Sequence, residues 1–224
     1  MSRLVVRSFS MSLDGYGAGL RQDLDHPLGV GGTRLHEWIF ATRSGSQMIG
    51  QEGGSDGLDN EFFSERESGV GATIMGRNMF GPVRGPWGES EWTGWWGEDP
   101  PFHHSVFVLT HHPRPAIEMQ GGTTFHFVAN GIEAALSDAL EAAGDGDVLV
   151  GGGAETIRQY LQASLIDELH LAIVPILLGG GERLFDDIGP SAGNYRSVEH
   201  VCSPTVTHVR LERIGHGAAD GPQS

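Results

Sequence analysis

Apolar and polar positions along the chain alternate between strand-like and helix-like periods. Residues 4–9, LVVRSF, are β-branched and aromatic and predict a strand, with the glycine-rich loop MSLDGYGAG behind it. Over 33–43, Leu35, Trp38, Ile39 and Thr42 recur at helical spacing behind a cap at Thr33, and SGSQMIGQEGGSDG predicts a flexible linker. LDNEFFSERES, 58–68, predicts a helix that is acidic at its start and closed by Gly69. ATIM predicts a strand, and 81–104 a long loop rich in Gly, Pro and Trp. SVFVLT, 105–110, is an uninterrupted apolar run suited to a buried parallel strand, and TTFHFVA predicts another. IEAALSDALEAA carries a helical stripe through Ile132, Ala135, Leu136, Ala139, Leu140 and Ala143. DVLVGGG predicts a strand running into glycines, and AETIRQYLQASL an amphipathic helix through Ile157, Tyr160, Leu161 and Leu165. ELHLAIVPILLG predicts a strand with Pro175 near its end, and SVEHVCSPTVTHVRLERI a closing hairpin. The alternation implies an α/β fold with a mostly parallel sheet and an antiparallel C-terminal hairpin. One domain is expected over 1–214, with a disordered tail over 215–224.

Composition narrows the function classes. Among 224 residues the formal net charge is −15 with only 14 Lys and Arg, so a nucleic-acid partner is not expected. The single cysteine, Cys202, has no partner for a disulfide or metal site. The N-terminal stretch is too polar for a signal peptide, and no run approaches the roughly 18 apolar residues of a membrane span. The expectation is a soluble cytoplasmic protein without a membrane partner.

Chemistry concentrates at three predicted strand ends, where open α/β sheets bind ligands. In VLVGGGAET, Gly151, Gly152 and Gly153 join a strand to a helix, and the N–H groups of Ala154, Glu155 and Thr156 would open that helix as a pyrophosphate site. In GATIMGRNMF, Gly76 would permit close approach and Arg77 would face phosphate oxygens, with Asn78 and Met79 starting a short helix. In LTHHPR, the groups of Thr110, His111, His112 and Arg114 suit the extra phosphate of NADP, or equally a surface turn closed by Pro113. His111 and His112 are too close together, and too far from a third ligand, to argue for zinc. The GxGxxG fingerprint is absent, which disfavours an ordinary Rossmann domain.

These three stretches, in this order, resemble the dihydrofolate reductase-like superfamily. The resemblance is closest to the C-terminal reductase domain of riboflavin biosynthesis deaminase–reductases and its stand-alone relatives. It runs from SFSMSLDGY through GATIMGRNMFGP and VFVLTHHPRP to VLVGGGAETIRQYLQASLIDELHLAIVPILLGGGERLF, the most specific part. It implies a central sheet of about eight strands with helices on both faces, NADP(H) bound across it, and a homodimer. It implies that Gly76, Arg77, Asn78 and Met79 hold phosphates, and that Thr110, His111 and His112 lie by the adenosine ribose and its phosphate. Val150 and Gly151 to Thr156 would flank the nicotinamide and cradle the pyrophosphate. Ser12, Leu13, Asp14 and Gly15 would lie beside nicotinamide and substrate.

The implied activity is an NADPH-dependent reductase that passes hydride to a small heterocycle or a ribitylaminopyrimidine-type substrate, as 5-amino-6-(5-phosphoribosylamino)uracil reductases do. Dihydrofolate reductases need a carboxylate in the second helix; counted back without gaps from Gly76 that position is Asn60, with Asp59 beside it. Asp14 and Asp59 are therefore the candidate proton relays, each with a structural alternative: Asp14 as half of a turn pair with Gly15, Asp59 as a helix-dipole partner. A deaminase zinc signature cannot be assembled from one cysteine. Trp87, Trp92, Trp95 and Trp96 lie within ten residues; they suit a cap on the substrate pocket, with Trp96 against substrate, a dimer interface, or self-packing. His103 and His104 are read as positioning that loop. Dihydrofolate reduction, nicotinamide-nucleotide binding without turnover, and a plain interaction module stand as alternatives.

Overall fold

The computed structural model describes residues 2–81, 85–88 and 91–215; the expected tail beyond Gly215 lies outside them. The chain opens with β1 (Leu4–Ser12) and β2 (Tyr16–Ala18), then α1 (Glu37–Phe40), α2 (Arg43–Met48) and α3 (Leu58–Ser64). It continues through β3 (Val70–Gly76), α4 (Arg77–Phe80), β4 (Ser105–Leu109), β5 (Ile117–Glu118) and β6 (Thr124–Val128). Then come α5 (Ile132–Ala143), β7 (Asp147–Gly152), α6 (Ala154–Gln162), β8 (Glu168–Val174) and β9 (Glu182–Arg183). β10 (Tyr195–Cys202) and β11 (Thr207–Arg213) close the chain.

Nine strands form one sheet in the order β10-β11-β8-β1-β7-β3-β4-β6-β5. The strands from β8 to β6 run parallel, while β11, β10 and β5 add antiparallel pairs at the edges. β2 and β9 form a small separate sheet that sequence pattern did not reveal, because each is only two or three residues long.

Side chains alternate across the sheet. Ala72, Ile74, Phe107, Val148 and Val150 bury one face under Ala135 and Ala139 of α5 and Ile157 and Tyr160 of α6. On the other face, α1 and α3 cover β8 through Trp38, Ile39 and Phe63, while Met75, Val106 and Val108 lie under Phe80, Trp87 and Phe102. Helices and loops on that second face thus form two separate clusters with a gap between them.

The helix expected over 33–43 is broken. A 3-10 turn over Gly32–His36 precedes α1, and Thr42 is extended, with its hydroxyl accepting from Gly45 N–H at 3.0 Å to cap α2. A local side-chain bond therefore outcompetes helix continuation, and the expected linker begins as a helix. Pro175, which has no N–H to give, stops β8 at Val174.

β1 carries a bulge. Its register with β8 shifts between Val6 and Phe9, and Ser8 takes a positive φ of 56°. The Ser8 N–H freed by the bulge donates to His170 Nδ1 at 3.1 Å. That bond fixes the tautomers: His170 Nε2–H donates to His208 Nδ1 at 3.1 Å, and His208 Nε2–H donates to an Asp59 carboxylate oxygen at 2.9 Å. Thr205 also donates to Asp59. Burial, with the neighbouring His208 and Arg210, pushes His170 down to about 3, and burial also lowers His208 despite Asp59. Hydrogen bonds hold Asp59 below its ordinary value against the upward pull of burial.

Neutral imidazoles in the fold face chains that, unfolded, take up protons below about pH 6.5. The stabilisation is complete above that pH and is lost progressively towards pH 3. The unfolding free energy from urea titration is expected to fall between pH 7 and 5, by roughly 1–2 kcal/mol for His170, with the urea midpoint moving the same way. A flat midpoint over that range would show that the imidazoles are not held neutral.

Candidate active site

Strand register brings the three candidate ends together. Met75 of β3 lies opposite Gly152 of β7, and Gly76 lies opposite Leu109 of β4. The chain leaves β7 through Gly152 (φ 148°) and Gly153 (φ 81°), conformations that favour glycine, and enters α6 with no side chain capping its start. Gly76 itself has an ordinary φ of −76°. Its need is space: a Cβ there would lie 2.4 Å from Thr156 Oγ1. The close approach expected of a ligand at Gly76 is thus made first by α6.

Two cavities adjoin along this line. One, of about 360 Å³, is walled by Gly76, Arg77, Asn78, Thr110, His111, His112, Gly153, Glu155 and Thr156. All three strand ends meet there. Arg77 donates to Thr110 Oγ1 at 2.9 Å and to Gly85 O at 3.2 Å, and its guanidinium lies 3.1 Å from the centroid of the Trp87 ring. Thr110 Oγ1 also accepts from His112 N–H at 3.1 Å, tightening the turn after β4. Glu155 is drawn away to an ion pair with Arg158. Arg114 is not on this wall; it donates to Trp92 O at 3.1 Å and sits over Trp87.

The second cavity, of about 280 Å³, lies between the two clusters on the α1–α3 face. Phe9, Ile39, Phe63, Met79, Trp95 and Trp96 supply its apolar surface, and Gly151, Gly152 and Ala154 its floor. Its polar wall includes Ser8, Ser10, His36, Arg66, Asn78 and Glu182. Ser10 is held by Trp38 Nε1–H at 2.9 Å. Burial, reinforced by the Arg66 charge, pushes His36 down to about 4. Arg66 pairs with Glu67 at 3.0 Å. Asn78, Gly153 and Glu182 border both cavities, and Asn78 Nδ2 donates to Glu182 Oε1 at 3.4 Å.

Several expected site residues lie elsewhere. Val150 is buried in the core on the α5–α6 face. Met79 lies with its thioether against Gly151 and Gly152, on the wall of the aromatic cavity and not of the first one. Ser12, Leu13, Asp14 and Gly15 line neither cavity. Asp14 accepts from Ser12 Oγ at 2.6 Å, Leu178 N–H at 3.1 Å and Gly179 N–H at 2.8 Å, and these bonds pull it down to about 2. It ties the loop after β1 to the loop after β8. Asp59 is turned to His208 and Thr205, and Asn60 accepts from Ser44 N–H at 2.9 Å, so neither lines a cavity. Both act as ties between elements. His103 and His104 do hold the loop before β4, through Thr123, Gly121 and Thr73. Sequence reasoning missed His36, Arg66 and Glu182; they come from three separate segments with no common spacing.

A family model described as the RibD C-terminal domain matches residues 3–219. Among solved structures, a putative riboflavin biosynthesis protein from Shewanella sp. PV-4 is 24% identical with a TM-score of 0.59, over 95% of this chain and 99% of that one. A diaminohydroxyphosphoribosylaminopyrimidine deaminase/5-amino-6-(5-phosphoribosylamino)uracil reductase from Thermotoga maritima is 15% identical with a TM-score of 0.53. That likeness covers 95% of this chain and 56% of the Thermotoga chain, so this chain spans about half of it. Dihydrofolate reductase from Enterococcus faecalis, complexed with NADP(H) and RAB-propyl, is 15% identical with a TM-score of 0.50, over 94% and 96%. At these identities the likeness shows a shared dihydrofolate reductase-like fold. No curated protein matches.

Gly76→Ala is expected to destabilise the chain by about 1–3 kcal/mol, because the methyl meets Thr156 Oγ1. Thr156→Ala should restore part of that loss in the double variant, a coupling readable from chemical denaturation. Additive effects would show that the two positions do not touch.

Proposed function

Since the chain belongs to the RibD C-terminal domain family, we propose that it is an NADPH-dependent reductase acting on a small planar heterocycle of the pyrimidine type. One observation carries the reading: three strand ends far apart in sequence wall one cavity, which shares Asn78, Gly153 and Glu182 with a second, aromatic-lined cavity. The first cavity suits a dinucleotide, with a helix start free of side-chain caps, the left-handed Gly153 and the Arg77 guanidinium. Bound there, the cofactor supplies the hydride.

The chain's own residues bind, orient and exclude water. The α6 start and Arg77 would take the diphosphate, and His111 and His112 the ribose and its phosphate. Trp95, Trp96 and Phe9 would hold the planar ring and shed its hydration shell. Asn78 and Arg66 would donate to ring carbonyls. Glu182 is the carboxylate among the described walls of the aromatic cavity, and it takes the orienting role first sought in Asp14 and Asp59. The reference substrate for the assay is 5-amino-6-(5-phosphoribosylamino)uracil, with dihydrofolate as the second.

NADPH is expected to bind with a micromolar or tighter Kd, and Gly153→Val should weaken it about tenfold or more. Titration by nicotinamide fluorescence checks both; unchanged affinity in the variant would move the diphosphate elsewhere. Glu182→Gln is expected to lower kcat by about tenfold or more. Asp59→Asn should leave kcat within a few fold while lowering the denaturation midpoint. A large kcat loss in Asp59→Asn at unchanged stability would return the proton relay to that residue.

A further inference from the structure

A third hollow, of about 260 Å³, adjoins the aromatic cavity. Met48, Phe63, Arg66, Met79 and Trp96 line both spaces, so the two chambers stand on either side of a common wall. The far side of the annex is formed by Ser44, Ser64, Glu67, Pro101 and Phe102. Two of the wall residues are methionines, unbranched thioethers that repack at low cost and yield to an entering group. Each chamber alone falls just short of the roughly 300–1,000 Å³ usual for a small-molecule site, and the pair falls within it.

Charge and polarity then restrict what the pair of chambers accepts. Among the described residues Arg66 is the guanidinium on these walls, and it pairs with its neighbour Glu67 at 3.0 Å on the annex side. Glu182 adds a further negative charge on the aromatic cavity. His36 faces Arg66 and is held neutral by burial. Among the described residues the walls therefore carry one guanidinium against two carboxylates, which suits a neutral ligand better than a phosphorylated tail. The annex lining is mostly Phe, Met, Trp and Pro carbon.

We propose that this annex is a specificity pocket for an apolar, ring-sized substituent, so that the chain's substrate is a neutral pyrimidine-type heterocycle bearing an aromatic or aliphatic group. The inference rests on the reductase reading of the adjoining cavity. It departs from phosphorylated pyrimidine as the best ligand.

The test is calorimetric titration of the full chain with uracil, 5-benzyluracil and uridine 5′-monophosphate, each with and without saturating NADPH. 5-Benzyluracil should bind at least about tenfold tighter than uracil, and uridine 5′-monophosphate no tighter than uracil. Ser64→Phe and Ser44→Phe, which fill the annex from different sides, should each cut the benzyl advantage to near unity. Equal affinity for uracil and 5-benzyluracil, tighter binding of the phosphorylated probe, no binding of any probe, or an advantage that survives both variants would overturn the proposal. If one variant fails to fold, the ratio on the unchanged chain and on the other variant still decides. NADPH titrated alone is a separate readout: its failure to bind sinks the reductase reading, whereas the benzyl ratio without cofactor judges the annex.

Discussion

The end of β3 pressed against the start of α6 is the constraint on which the site depends. Gly76 leaves no room for even a methyl against Thr156. β7 lies beside β3 with Gly152 opposite Met75, so the chain turning from β7 into α6 passes over the end of β3. β4 on the other side places Thr110 just beyond the same line. A parallel sheet of fixed register thus converges three short segments, and each contributes a different donor: uncapped main-chain N–H groups, a guanidinium, and hydroxyl with imidazole.

The opposite half of the site depends on a different interaction. The bulge in β1 turns Ser8 to the cavity wall, and the hydrogen-bonded line from Ser8 N–H through His170 and His208 to Asp59 satisfies the backbone donor that the bulge releases. Every ring nitrogen in that line has one defined role, so the chain of bonds holds the bulge in a single arrangement. Phe62 stacks on both imidazoles, with ring centroids 4.6 Å and 4.1 Å away, and covers them on one side. Asp59 and Asp14 are both carboxylates committed to ties of this kind, while Glu182, Asn78 and Arg66 lie on the polar wall of the cavity.

The tryptophan-rich loop divides its labour. Trp87 and Trp92 face inward: Trp87 lies under Arg77 and donates to His112 O at 2.6 Å, and Trp92 donates to Phe80 O at 2.9 Å. Trp95 and Trp96 face the cavity, Trp96 braced edge-on by Phe102 and stacked over Phe125. One pair anchors the loop to β4 and α4, and the other presents aromatic surface to the cavity.

Sequence alone determined the α/β class, the mostly parallel sheet, α5 to the residue, and which three strand ends carry glycines and polar side chains. Those features are local: periodicity of two or 3.6, and glycines or polar side chains directly after apolar runs. The tertiary structure decided the rest. Whether Asp14 and Asp59 face a ligand or another strand depends on partners roughly 150 residues away, Leu178, Gly179 and His208, which no local pattern encodes. The convergence of His36, Arg66 and Glu182 on one cavity likewise follows from how the loops and short helices close over the sheet, and their spacing in the chain bears no trace of it.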